Sequence, residues 1–298
     1  MVLGNIDYNY IRKNLRAFVR DKNFRFMSLH RMGAFDDMPD EEYLKKLWQA
    51  VMGYPLDLNN PVTFNEKIQW LKLYDRNPLY HTLVDKVEVK KWVADKIGEE
   101  FIIPTLGVWD DPDDIDFDSL PDRFVLKCNH NSGKGMCICK DKSKLDIPKV
   151  REELREGLKQ NYYLPYREWA YKDVQPRILA EKYITEDAEP DDYKIFCADG
   201  KPQLIEVDFD RFKDHKRNLY TTDWDFIEAE MCYKSDKEHI IDRPKCLEKL
   251  LDVAGTLAKD IPLVRTDFYV IDDSVLFGEM TFYPDAGFSD IKPEELAE

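Results

Sequence analysis

The sequence lacks any long apolar run. Its longest, such as Phe101-Ile102-Ile103, fall far short of the ~20 residues a spanning helix needs. It lacks an excess of positive charge: 44 Lys and Arg face 59 Asp and Glu, for a formal net charge of -15. That balance disfavours a duplex DNA binder working through its global charge and leaves only a local basic groove open. It lacks C-x-x-C pairs. Six cysteines stand at Cys128, Cys137, Cys139, Cys197, Cys232 and Cys246, and nothing near Cys137 and Cys139 completes a zinc set. Residues 1–18 hold no apolar leader core and no small-residue cleavage site, so a cytoplasmic protein with reduced thiols is expected. There is no internal repeat, no low-complexity tract and no evident Ser-His-Asp arrangement. The acidic stretch 110–118 has neither the Gly nor the Glu of an EF-hand and reads as a solvated loop.

The 298 residues, 43% hydrophobic and 13% aromatic, suffice for about two domains with sizeable cores. Residues 1–100 read as mostly helical. The basic, aromatic stretch 12–25 reads as a solvated helix face. Asp40-Glu41-Glu42 opens one helix. Thr63 and Glu66 have the spacing of a capping box for another. A third is expected over residues 85–97, closed by Gly98. From Phe101 the texture changes to strands: FIIPTLGVWD, RFVLKCNH, MCICK, ILAEKYI, DYKIFCA and KPQLIEVDFD, with Asp199-Gly200 as a hairpin turn. Helices are expected over 146–172 and 245–259. Two last strands, LVRTDFYVI and SVLFGEMTF, flank Asp272-Asp273. The pattern is α+β with several antiparallel hairpins.

Four features carry chemistry. Lys127 on a strand precedes Asn131, Ser132, Gly133, Lys134 and Gly135, a turn whose backbone could approach phosphate. It leads to a strand, not to the helix of a Walker loop. Glu181-Lys182-Tyr183-Ile184 ends one strand. Lys194 sits in the apolar stretch DYKIFCA, where it either snorkels or serves a buried anion. Arg265 and Asp267 share a face of one strand, and Glu279 and Thr281 share a face of the next. A hairpin would bring Asp267 near Glu279, two carboxylates with a hydroxyl beside them, which suits magnesium, although an Arg265 salt bridge fits as well. The aromatics of YYLPYREWAY either stack a sugar or pack, and packing is preferred.

In order, these segments resemble the ATP-grasp superfamily, and within it the TupA-like branch linked to teichuronopeptide and capsular polysaccharide biosynthesis. TFNEKIQWLK, LVDKVEVKKWV, FVLKCNHNSG, LAEKYI, DYKIFCADGKP and VRTDFYV…FGEMTFYP carry the resemblance over most of the chain. It implies an ATP-grasp fold, two α+β subdomains gripping ATP behind a helical N-terminal region. Residues 1–100 would be the acceptor-side region, 101–182 the subdomain with the phosphate lid, and 183–298 the subdomain with the magnesium strands. Lys86 and Lys127 would contact ATP phosphates, under a lid made of Asn131, Ser132, Gly133, Lys134 and Gly135. Glu181, Lys182, Tyr183 and Ile184 would form the adenine linker. Lys194 would reach the terminal phosphates, and Arg265 would stabilise the transferring group. Asp267 and Glu279 would hold magnesium, with Thr281 where many relatives carry Asn.

The implied activity is an ATP- and Mg2+-dependent carboxylate–amine ligase working through an acyl phosphate. It would attach an amino acid or other amine to a uronic-acid or surface polysaccharide precursor, in peripheral contact with the assembly machinery. A glycosyltransferase-like enzyme, a phosphotransferase and an ATP-binding scaffold are the alternatives. No nucleic acid and no membrane span are expected.

Overall fold

The computed structural model describes residues 12–185, 190–210 and 214–297. Residues 1–11 of the N-terminal region and the acidic loop at 186–189 lie outside the described residues. Among the described residues six helices come first: α1 Leu15–Arg20, α2 Lys22–Arg31, α3 Asp40–Met52, α4 Phe64–Tyr74, α5 Leu79–Val84 and α6 Glu88–Ile97. Asp40, Glu41 and Glu42 fill the first turn of α3, where carboxylates meet unpaired N–H groups. The expected capping box forms at α4: the Thr63 hydroxyl accepts from Glu66 N at 3.3 Å and the Glu66 carboxylate from Thr63 N at 3.0 Å.

The expected helix over 85–97 starts later, at Glu88. Asp85 is extended, and its carboxylate accepts from Val87 N at 2.8 Å, offering the backbone an alternative to a continuous helix. Arg177 holds the other Asp85 oxygen at 2.8 Å. The break leaves Lys86 between α5 and α6, outside either helix.

Four strands, β1 Thr105–Trp109, β2 Phe124–Cys128, β3 Met136–Cys139 and β4 Ile178–Lys182, form an antiparallel sheet in the order β1-β4-β2-β3. Helix α7, Ile147–Leu158, packs Val150 and Leu154 on Phe124, Leu126, Ile178 and Ala180 of this sheet. The helix expected to run to residue 172 ends at Leu158. Asn161 turns the chain by accepting from Leu164 N at 3.1 Å, Pro165 offers no N–H, and Arg167 takes φ 53°. Residues 159–168 are therefore a strap of turns.

A second sheet holds β5 Asp192–Ala198, β6 Lys201–Phe209, β7 Lys216–Tyr220, β8 Phe226–Ile227, β10 Leu263–Ile271 and β11 Ser274–Thr281, in the order β11-β10-β5-β6-β7-β8. β9 Glu230–Met231 and β12 Ile291–Lys292 pair separately. One face of the larger sheet is apolar: Ile195, Ile205, Val207, Val264 and Phe268 pack on Leu250 and Val253 of α8, Leu247–Leu257. Ile68, Leu83, Val84, Val89 and Val93, from α4 to α6, join that same core. Because side chains alternate, the other face carries the charged positions of the same strands.

Candidate functional site

Charge is concentrated on that second face. Asp267 lies opposite Glu279 on β11 and opposite Lys194 on β5, and Lys194 lies opposite Glu206 on β6. Arg265 lies opposite Thr281. Asp192 lies opposite Asp208, which lies opposite Arg217 on β7. The rows are held by paired charges. Arg265 grips both Asp267 oxygens, at 2.8 and 2.7 Å, and reaches the Thr281 hydroxyl at 3.3 Å. Lys194 pairs with Asp192 and, at 3.2 Å, with Asp267. Arg217 binds both Asp208 oxygens, at 2.8 and 3.1 Å, and Glu206 at 2.9 Å.

The titrations follow from these neighbours. Burial works to strip Lys194 of its proton, but Asp267 and Asp192 outweigh it and its pKa rises. Burial raises the Glu206 carboxyl even with Arg217 beside it. Burial also pushes Glu279 up, but Lys86, Arg265 and Lys194 together hold it well below the usual carboxylate range. Glu279 keeps 31% of its side chain exposed, whereas Asp267 keeps 4%.

The smaller sheet contributes a second set of cations. Glu181 at the end of β4 is shared between Lys127 of β2 at 2.6 Å and Lys90 of α6 at 2.5 Å. Burial would raise this carboxyl, and the two ammoniums bring it below its ordinary value instead. Lys86 ties the two halves: its ammonium lies 3.2 Å from Glu279 and donates to the Asn131 carbonyl at 2.9 Å. Lys182 is exposed, Arg123 lies 4.5 Å over the Tyr183 ring, and Ile184 is half-buried.

The glycine-bearing turn divides in two. Asn131 is buried and donates to the Gly157 carbonyl at 3.1 Å. Gly135 is buried with φ 65°. Ser132, Gly133 and Lys134 form the exposed tip between them. A Cβ on Gly135 would stand 2.6 Å from Cys128 Sγ and 3.0 Å from the Gly157 Cα, so only glycine permits this approach of hairpin to α7. Gly135→Ala is expected to cost about 1–3 kcal/mol. A thermal melt checks this, and an unchanged midpoint would mean that the approach does not constrain the turn. His130 beside the turn is buried, with Nε2 on the Gln160 carbonyl at 2.9 Å.

The structure thus brings Lys86, Lys194, Arg265, Asp267, Glu279 and Thr281 together, and sets Lys127 with Glu181 on the smaller sheet. Sequence reasoning missed Lys90, Glu206, Asp208 and Arg217 as part of this charge layer. The alternation Glu206-x-Asp208 in IEVDFD is the signal that could have shown two of them.

The TupA-like ATP-grasp family model matches residues 66–298. The chain belongs to the TupA-like ATP-grasp family. Its two larger sheets, each backed by helices, are the α+β halves of an ATP-grasp fold. No curated protein sequence matches it. Among solved structures it is similar to the D-alanine-D-alanine ligase of Bacillus anthracis complexed with ATP, at 18% identity and a TM-score of 0.41, covering 67% of this chain and 54% of that one. It is similar to the D-alanine-D-alanine ligase of Helicobacter pylori, at 15% identity and 0.43, covering 75% and 63%. It is also similar to an N5-carboxyaminoimidazole synthase of Aspergillus clavatus in complex with ADP, at 13% and 0.39, covering 68% and 45%. This ATP-grasp chain therefore spans less than two-thirds of the length of each. The family rests on the sequence match, not on these distant likenesses. Among the described residues no helix is long and apolar enough to cross a membrane.

Proposed function

We propose that this chain is an ATP- and magnesium-dependent carboxylate–amine ligase. The observation that carries the reading is the cross-strand pair Asp267 and Glu279, flanked by Arg265, Lys194 and Lys86. Phosphoryl transfer is mostly positioning and charge neutralisation, and this is the residue set it needs. Lys86 and Lys127, with the lid tip of Ser132, Gly133 and Lys134 between the anchors Asn131 and Gly135, hold phosphates. Glu181 and the run Lys182, Tyr183 and Ile184 take the adenine side. Lys194 steadies the terminal phosphate, and Arg265 the charge that develops on the transferring group and at the acyl carbon.

Among the described residues no group of three or more His, Cys, Asp or Glu is placed to hold a metal ion. Magnesium suits the site even so, because it takes one or two carboxylates and completes its shell with phosphate oxygens and water. Asp267 and Glu279 would hold it, with the Thr281 hydroxyl as a third oxygen. Bound there, it would neutralise phosphate charge.

The carboxylate substrate attacks the terminal phosphate to give an acyl phosphate, which an amine then converts to an amide. We assign residues 1–100 to the acceptor side, 101–182 to the lid half and 183–298 to the metal half, and place the reaction on a uronic-acid unit of a surface polysaccharide precursor. A non-hydrolysable ATP analogue with magnesium at a hundredfold excess over Kd is expected to stabilise the protein by about 2.7 kcal/mol, and either alone by much less. Uronic acids with amines should then release both ADP and phosphate. No thermal shift with any nucleotide would sink the reading.

A further inference from the structure

The basic stretch 12–25 is solvated, as its composition predicts, but its exposed face is not purely polar. Helix α1 buries none of its residues. Leu15 is 57% exposed and Val19 65% exposed, and four positions apart they stand in one row along the helix. Arg16 and Arg20, also four apart and exposed, form the row beside them. Arg12, Lys13 and Lys22 are exposed as well. A single exposed leucine is ordinary. An apolar row flanked by cations is the pattern of a helix that lies in an interface.

The row is held in place. Asp21 closes α1, donating its N–H to the Ala17 carbonyl at 2.8 Å, and opens α2, accepting from Asn23 N at 2.9 Å and Phe24 N at 3.0 Å. Arg25 reaches back from α2 and donates to the Phe18 and Val19 carbonyls, both at 3.1 Å. These bonds fix α1 against α2, and with it the direction in which Leu15 and Val19 face. The charge is local too. Between residues 12 and 25 six side chains are Lys or Arg and one is acidic, a charge of +5, while the rest of the chain carries -20. The one acid, Asp21, is the residue committed to the cap.

A membrane surface fits this face better than a protein does. A stable protein partner covers roughly 800 Å² a side, and a helix of six residues, about 9 Å long, offers far less. A polyanion such as nucleic acid would meet the arginines and leave Leu15 and Val19 in water. An anionic bilayer meets both: phosphates for the guanidinium and ammonium groups, and acyl chains just beneath for the apolar row. We propose that α1, with the start of α2, is a peripheral docking surface for an anionic lipid bilayer, with Leu15 and Val19 entering the interface and the cations pairing with lipid phosphates. Repulsion by the acidic remainder is screened beyond about 10 Å at ~0.1 M salt, so a local patch suffices. Such docking holds whatever reaction the chain catalyses.

Sedimentation of the full chain with lipid vesicles tests it. Vesicles of phosphatidylglycerol and phosphatidylcholine in equal parts should pull the chain down, and vesicles of phosphatidylcholine alone should not. Arg16→Gln, Arg20→Gln and Lys22→Gln together should weaken binding about 100-fold, at about fivefold per cation. Leu15→Ser with Val19→Ser should weaken it about tenfold or more. All five side chains are exposed, so both variants should keep the melting midpoint of the wild type. No binding to the anionic vesicles, or binding that the serine variant leaves unchanged, would overturn the docking surface. So would equal binding to both kinds of vesicle, since the cations would then play no part. Binding to duplex DNA but not to vesicles would mark a polyanion site instead. A dimer that the serine variant dissolves, with no vesicle binding, would mark a contact between two copies of the chain.

Discussion

Asp267→Asn is expected to lower ADP release by about 10³-fold, the scale seen when one preorganised electrostatic partner is removed from a reaction centre. The carboxylate carries two duties. It is the most buried of the three oxygen ligands proposed for magnesium, and it anchors Arg265 at two points and Lys194 at a third. An amide keeps the shape and discards the charge. Stability should fall too, by up to about 3–5 kcal/mol, because two buried cations lose a counter-charge. Arg265 retains Glu279 at 3.9 Å and Lys194 retains Asp192, which softens that loss. Glu279→Gln separates the two effects. Its side chain is 31% exposed, so it should lose activity on the same scale with a smaller change in unfolding free energy. Activity within about tenfold of wild type for Asp267→Asn, measured as steady-state ADP release, would remove this residue from the reaction centre.

Arg167→Ala is expected to cost about 3–5 kcal/mol in urea unfolding, as removal of one partner from a buried charged network does. Arg167 is 1% exposed. Its guanidinium donates to the carbonyls of Leu164, Phe35, Asp36 and Met38 at 2.5 to 3.3 Å. It lies 4.0 Å over the Tyr43 ring and 3.2 Å from Asp40. Alanine would orphan four carbonyls and unlatch the strap from the turn between α2 and α3. Lysine should recover little of the loss, because one ammonium cannot serve a planar fan of acceptors. A change below about 1 kcal/mol for Arg167→Ala would mean that the strap is held by its aromatics alone.

Local rules exposed much of this architecture before any coordinates. The Thr63 capping box, the Asp199-Gly200 turn and the strand pair over 263–281 each rest on a few adjacent residues, and each is where its residue types place it. The alternation sets Arg265 with Asp267, and Glu279 with Thr281, but their cross-strand pairing also needs the register shift between Phe268 and Asp267, which leaves Gly278 unpaired and brings Glu279 opposite Asp267. The strap was not legible. Its aromatics read as a continuing helix, and its turns depend on Asn161, Pro165 and a buried Arg167 whose acceptors lie about 130 residues away in sequence. The helix break at Asp85 needed Arg177, 92 residues on. The pairing of Lys90 with Glu181 joins a helix to the end of a strand. Periodicity says which face a residue occupies and nothing about which distant element meets that face.

Helix α4 has a consequence for how the chain folds. Asn65 exchanges two hydrogen bonds with Ser289 across 224 residues, Gln69 reaches Ala286 across 217, and Lys72 reaches the same carbonyl across 214. A ribosome delivers α4 early and its partners more than two hundred residues later. Until then the Asn65 and Gln69 amides and Lys72 lack these distant partners. Closing loops of that span carries an entropy cost before any contact repays it, and contacts so far apart in sequence slow folding. The seam between α4 and the turn at 284–287 is thus a late event in biogenesis, and a ribosome-bound chain that stops short of it would show α4 open to exchange with solvent.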